Sequence, residues 1–250
     1  MNSSKSRLGK AYDSLYSAVC GKHPFVHPWH FQWLSKKALR ESLERNAPLL
    51  EGSILDIGCG DKPYRSFFKN ALTYTGLDIF SGPSVDIVVE PNAPWDIPSD
   101  QYDAVICTQV AQYAKSFELL FSEIFRVLKP GGILLFSVPF AYNEHDVADD
   151  YWRFTKTGLK ATFEERYEIV AVETLGKAGT TLGTLWLNWI NTRINSSRLL
   201  RLLRAPLLPV WMAFCFATNL SASIIDCLDI TDLFYENVLL VARKKREPFQ

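Results

Sequence analysis

The sequence predicts an α/β domain with a doubly wound, largely parallel sheet. Two observations carry this. Short apolar, β-rich runs stop repeatedly at Gly, Asp or Glu, and helical patterns separate several of them. One run, Ile133–Val138, is nearly all apolar, as expected for a strand buried on both faces. Parallel strands need crossovers, and right-handed crossovers place helices on both faces of the sheet.

Taken in order, residues 1–28 read as polar and irregular, with His23-Pro24 and His27-Pro28 as breakers. Trp29–Asn46 reads as a helix with Trp29, Trp33, Leu34, Ala38 and Leu43 near one face, ended by Pro48. Strands are expected at Ser53–Ile57, Thr73–Leu77, Val85–Val89 and Ala104–Thr108. Pro91, Pro94 and Pro98 leave little room for a helix between 91 and 99. Phe117–Leu128 reads as an amphipathic helix closed by Lys129-Pro130-Gly131-Gly132, before the strand Ile133–Val138. A helix over Thr155–Arg166 leads to a sixth strand, Tyr167–Leu175, and Asn237–Ala242 is the seventh. Residues 179–232 are long, apolar and helical in character, which makes them an insertion between strands six and seven. The expected partition is a helical lid segment over 1–50, a core over 51–178, the insertion over 179–232, and the last strand with its tail over 233–250.

Composition narrows the function classes. The chain has 250 residues, 48% hydrophobic and 22% charged, the balance of a globular protein. Lys plus Arg and Asp plus Glu are both 27, so no global charge draws it to nucleic acid. The five cysteines are odd in number and widely spaced, which reads as reduced cytosolic thiols. No signal peptide is expected, because Met-Asn-Ser-Ser-Lys-Ser-Arg leads into no apolar run. His23, His27 and His30 lie close together but have no acidic or Cys neighbour in sequence, so no metal site is expected there.

Ligands of open α/β sheets bind outside the carboxyl ends of the strands. Asp56-Ile57-Gly58-Cys59-Gly60 stands at such an end. Gly58 and Gly60 let the backbone turn and a ligand approach closely. The dinucleotide pattern GxGxxG would need glycine at position 63, and Pro63 stands there, so a pyrophosphate cradle and a nicotinamide oxidoreductase are disfavoured. A ligand with both carboxylate and ammonium groups suits the loop amides and Asp56. A tight structural turn explains the glycines alone equally well. Asp78, 18 residues beyond Gly60, adds a carboxylate able to hold both hydroxyls of a ribose, although a solvated strand-end Asp would look the same.

Leu55-Asp56-Ile57-Gly58-Cys59-Gly60, then Gly76-Leu77-Asp78, then Tyr102-Asp103-Ala104-Val105-Ile106-Cys107, then Phe125–Leu135 with its Lys129-Pro130-Gly131-Gly132 occur in one order. In that order they resemble class I S-adenosylmethionine methyltransferases of the type 11-like subgroup. The resemblance runs from about Ser53 to Leu175, with Asn237–Ala242 as the usual last strand. It implies a Rossmann-like seven-stranded sheet with the last strand antiparallel, and S-adenosylmethionine as cofactor. It places Asp56, Gly58, Cys59 and Gly60 at the methionine moiety, Asp78 and Ile79 at the ribose, and Glu90 or Asn92 by the adenine. Gln109 is a further candidate contact. Gln109 and Gln112 stand where many relatives carry Glu and His; they keep hydrogen-bonding capacity but cannot titrate.

Methyl transfer to a hydroxyl needs the proton removed, usually by His or a carboxylate. The segment after the fifth strand, Val138–Thr155, offers His145 as base, with Asp149 or Asp150 as orienter or alternative base. Tyr151 and Arg153 are candidate substrate contacts, Arg153 by pairing with an anion or stacking on a ring. The plainer possibility is a surface loop histidine, with Tyr151, Trp152 and Phe154 anchoring the loop. Asp150-Tyr151-Trp152-Arg153-Phe154-Thr155 with the upstream Glu144-His145 resembles methyltransferases linked to bacterial polysaccharide biosynthesis, which suggests O-methylation of a sugar, glycolipid or lipid-linked sugar (EC 2.1.1.-). A quinone-like lipid acceptor and a catalytically silent cofactor-binding scaffold are the alternatives.

Residues 205–225 carry no charge, and Arg198, Arg201 and Arg204 recur among leucines just upstream. On a helix these form a basic stripe beside an apolar face, suited to peripheral contact with an anionic membrane through 198–225. A cap on the core or a second subunit would use the same face. A spanning helix is disfavoured, because the seventh strand must return to the same sheet. The expected location is cytoplasmic, including the inner face of the membrane.

Overall fold

The computed structural model describes residues 7–145 and 148–246. The chain divides into two compact units: a sheet unit from Glu41–Leu175 with the segment beginning at Tyr235, and a helical unit from the N-terminal segment through Arg40 with Gly176–Phe234.

In the sheet unit the strands are β1 (Gly52–Ile57), β2 (Ala71–Asp78), β3 (Ile87–Val88), β4 (Tyr102–Thr108), β5 (Leu128–Pro139), β6 (Tyr167–Leu175) and β7 (Asn237–Lys244). They form one sheet in the order β3-β2-β1-β4-β5-β7-β6. The first five are parallel, and β7 runs antiparallel between β5 and β6. This is the seven-stranded arrangement expected, with the insertion between β6 and β7.

The apolar pattern dictates the layering. Gly132–Pro139 is buried throughout, as a central strand covered on both faces must be. Against it pack Ile124 and Val127 of α3 (Phe117–Val127) and Leu159 and Phe163 of α4 (Lys156–Phe163). Ser116 caps α3 by accepting from the Leu119 N–H, and Thr155 caps α4 by accepting from the Gly158 N–H.

Several boundaries move. The strand β5 begins at Leu128 rather than Ile133, because Leu128 already pairs with Tyr102 before a register shift. The strand β3 shrinks to two residues, while β7 extends to Lys244. Helix α4 ends at Phe163, its last buried apolar residue, and Glu164–Arg166 are exposed. No helix forms between 91 and 99. That loop is tied to α3 instead: Arg126 donates to the carbonyls of Trp95 and Ile97, and Glu123 accepts from the Trp95 N–H at 2.8 Å.

The helical unit holds α1 (Arg7–Cys20), the start of α2 (Trp33–Asn46), α5 (Ala178–Ser196), α6 (Arg198–Leu203) and α7 (Leu208–Leu228). The first of these corrects the reading of residues 1–28 as irregular. Tyr12, Tyr16 and Cys20 recur every fourth residue, and Cys20 is fully buried. Helix α2 starts at Trp33 rather than Trp29 because the carbonyls of Pro28 and His30 accept from the Asn219 amide at 2.7 and 3.0 Å. Helices α5 and α7 are joined at their ends by Asp226 and Asp229. Asp226 accepts from the Thr180 N–H and hydroxyl, and Asp229 from the Ala178 N–H, so both carboxylates serve the first turn of α5.

Candidate active site

The carboxyl ends of β1, β2 and β4 lie side by side, with Ile57 level with Leu77 on one side and Cys107 on the other. The chain leaves β1 through Gly58 and Gly60, both left-handed, with φ of +67° and +49°. The loop folds back on β2: the amides of Gly58 and Cys59 both donate to the Leu77 carbonyl, at 2.8 and 3.2 Å. A Cβ on Gly58 would stand 2.2 Å from Val110 Cγ2, so any side chain there would force Val110 aside. A Cβ on Gly60 would meet nothing within 4 Å, so the loop opens to free space at that point.

Asp78 sits where spacing placed it. Its Oδ2 accepts from the Gly60 N–H at 3.0 Å and its Oδ1 from the Phe80 N–H at 3.1 Å. The glycine loop and the acid of β2 therefore form one contiguous edge. Ile79 follows, partly exposed beside it. Asp56 occupies a different place. It is buried beneath the loop, 3% exposed, and accepts from the Tyr74 hydroxyl at 2.8 Å. Burial pushes its pKa up to about 7, with the Tyr74 hydrogen bond and Lys62 opposing. Cys59 is buried as well, and burial pushes its thiol up to about 11.

Glu90 is exposed. Asn92, at φ +56°, accepts through Oδ1 from the Ser116 N–H at 3.2 Å, so it ties the proline-rich loop to the start of α3. Gln109, at φ +57°, donates to the Ser137 hydroxyl at 3.3 Å. Gln112 is 1% exposed; its Nε2 donates to the Gln109 carbonyl at 2.8 Å, and its Oε1 is buried with no partner.

Beyond β5 the chain builds a second cluster on the same edge. His145 Nε2 lies 2.5 Å from the Tyr113 hydroxyl. Its Nδ1 lies 3.3 Å from both the Asn143 carbonyl and Asp150 Oδ2. Asp150, whose side chain is fully buried, also accepts from the His145 N–H at 3.0 Å. Arg153 clamps Asp150 with two nitrogens, at 2.5 and 2.7 Å, and holds its carboxyl below the usual carboxylate range. Of the two candidate orienters the structure thus brings Asp150 to the histidine, while Asp149 is exposed. Arg153 is committed to Asp150 and to the carbonyls of Tyr142 and Asn143. Tyr151 is half exposed, while Trp152 and Phe154 stack edge-on against Phe117, anchoring the loop.

Tyr113 is the residue that sequence reasoning missed. Its signal was position: it lies just past the end of β4, on the ligand-bearing edge of the sheet.

The arrangement can hold a ligand along the glycine loop and Asp78, and can accept a proton at an oriented imidazole. A family model described as Methyltransferase domain matches residues 30–168. A sterol 24-C-methyltransferase of Yarrowia lipolytica is 29% identical over 119 residues, covering 39% of this chain. The chain spans only 29% of that relative's length. Among solved structures, the cyclase SpnF superposes with a TM-score of 0.55 at 18% identity, covering 85% of this chain and 82% of that one. Phosphoethanolamine N-methyltransferase 2 of Haemonchus contortus, in complex with S-adenosyl-L-methionine, gives 0.50 at 18% identity over 84% of this chain and 52% of that one. At such identities the superpositions show the fold, and the cyclase illustrates that a shared fold does not fix the reaction.

Proposed function

This chain belongs to the methyltransferase domain family, and from that premise we propose that it transfers a methyl group from S-adenosylmethionine to a hydroxyl oxygen of a sugar, glycolipid or other lipid-borne acceptor. The observation that carries the reading is the joined edge of Gly58, Gly60 and Asp78, together with the Tyr113–His145–Asp150 cluster that the chain builds after β4 and β5. Open space at Gly60 and the sub-van der Waals approach of Val110 to any Cβ on Gly58 suit a loop shaped to admit a ligand against backbone. The cofactor supplies an activated methyl on sulfur. The chain's own residues supply alignment and proton removal.

Asp78 binds the ribose hydroxyls, and the open backbone at Gly60 admits the methionine moiety. Asp56 lies buried beneath the loop on the Tyr74 hydroxyl and supports it from below. His145 carries its proton on Nδ1, held toward the Asn143 carbonyl and Asp150, which leaves the Nε2 lone pair free to accept. Tyr113 already presents a hydroxyl to that lone pair, so it either marks the acceptor's position or passes the acceptor's proton to His145. Asp150, kept ionised by Arg153, stabilises the imidazolium that forms. The acceptor class rests on the Glu144-His145 and Asp150–Thr155 strings. The sterol-modifying relative lends support to a lipid-borne acceptor, within the short span it shares.

The test is transfer of labelled methyl to glycan and lipid extracts, alongside titration with S-adenosylhomocysteine. His145→Ala is expected to lower transfer by about 10²–10⁴-fold with S-adenosylhomocysteine binding unchanged. Unaltered transfer removes His145 from the mechanism. A folded protein that fails to bind S-adenosylhomocysteine removes the cofactor.

A further inference from the structure

The helical unit carries a surface that the methyl-transfer site does not use. Residues 178–225 contain four arginines and no Asp, Glu or Lys. Helix α7 is long and apolar enough to cross a membrane by length and composition, yet only 22% of that window is buried. The core helix of a soluble protein would be mostly buried. Here Val210, Phe216, Leu220, Ile224 and Leu228 are exposed on α7, and Leu182, Trp186 and Trp189 on α5. None of the residues of α6 is buried, and its leucines 199 and 202 are 65% and 70% exposed. A contiguous apolar face of this kind marks an interaction site.

Charge decides between occupants. Arg193, Arg198 and Arg201 are exposed around the turn between α5 and α7. Arg204, the third member of the stripe read from sequence, points elsewhere. It lies 4.0 Å over the Tyr12 ring and donates to Asn195. A second copy docking through this face would bring arginines and no carboxylate from residues 178–225 to pair with them. Lipid phosphates supply the missing negative charge. A full crossing is disfavoured by connectivity: the chain leaves β6 at Leu175 and re-enters β7 at Asn237, paired with it, so crossings must come in twos. Helix α5 carries Asn188, Asn191, Arg193 and Asn195 and is not apolar enough to be the second.

We propose that α5, α6 and α7 form a bilayer-docking surface that lies in the interface of an anionic membrane. The exposed Leu, Trp and Phe side chains enter the acyl boundary, and Arg193, Arg198 and Arg201 meet headgroup phosphates. Trp186 and Trp189, stacked at 5.2 Å, sit as interfacial aromatics do. This stands apart from the methyl-transfer reading and needs none of its residues.

The test is flotation of the full chain with phosphatidylcholine vesicles, with and without phosphatidylglycerol, together with tryptophan emission. The protein is expected to float with the anionic vesicles, less so at high salt, and its emission to shift to the blue. R198A/R201A should lower partitioning about thirtyfold, at the usual contribution of each basic residue near an anionic surface. W186S/W189S should lower it on both vesicle types and lose the shift. S-adenosylhomocysteine binding and thermal melting, measured on each variant, confirm the fold and keep this test separate from that of the active site. Three results overturn the proposal: no flotation with anionic vesicles, equal flotation of R198A/R201A, or a concentration-dependent dimer whose hydrogen-exchange protection covers α5 and α7.

Discussion

The two units handle apolar surface in opposite ways. In the sheet unit the apolar side chains converge: Phe136 and Phe163 are buried at 0% and 2% exposure with ring centroids 5.2 Å apart, inside one continuous core. In the helical unit the polar groups turn inward, with Thr180, Thr184, Asn188 and Asn219 buried while Trp189, Leu202 and Leu220 face outward. One unit's hydrophobicity holds its fold. Much of the other's stays exposed on its surface.

Substitutions can break that contrast. Phe136→Ala should cost about 3–5 kcal/mol, the range for truncating a buried aromatic, measured by denaturant unfolding. A cost near zero would mean that the sheet core is not the source of stability. Gly58→Ala comes next. A left-handed φ costs an L-residue roughly 1–2 kcal/mol, and the clash with Val110 adds to it. Binding of S-adenosylhomocysteine should fall more than stability does, and Val110→Ala should recover part of the loss by removing the struck methyl.

Asp56→Asn tests the buried carboxyl through pH. Because the folded-state pKa is raised to about 7 from 3.8, the folded protein holds a proton that the unfolded chain has released. That contribution is complete below about pH 4 and is lost as pH rises through about 7, so stability falls across this window. The asparagine variant should lose that slope in thermal melts taken at steps of pH. An unchanged slope would assign it to another group. Smallest of all, Leu202→Ser should leave folding stability within about 0.5 kcal/mol, because the side chain is exposed. A larger loss would mean that α6 packs on protein in solution.

The sheet was legible because its strands obey strong local rules: apolar runs of β-formers broken at Gly58 and Asp78, although the Gly131-Gly132 pair lies inside β5 and does not start it. Asp78 was legible for the same reason, since spacing from a glycine loop fixes its place on the neighbouring strand. Helix α1 was missed because its stripe, Tyr12, Tyr16 and Cys20, is amphipathic rather than oily and lies among polar residues. Asp56 was read as facing a ligand, yet it is buried with the rest of the end of β1 and held by the Tyr74 hydroxyl of the next strand, a pairing that local sequence does not show. His145 and Asp150, five residues apart, were legible as a pair within one segment, whereas Tyr113 lies 32 residues from His145 and nothing local announces that meeting. Arg153 looked free to bind an anion because sequence does not show that Asp150, three residues before it, already fills its guanidinium.

The placement of β7 has a consequence for biosynthesis. Within the sheet β6 pairs with β7 alone, and β7 is synthesised only after β6 and the helices α5, α6 and α7. Until then residues 167–175 have no neighbour in the sheet, and the oily helices that follow are already synthesised. β7, paired between β5 and β6, therefore works as a clasp. A nascent chain stopped before Asn237 would present an open sheet edge, a feature prone to capture by chaperones or to aggregation.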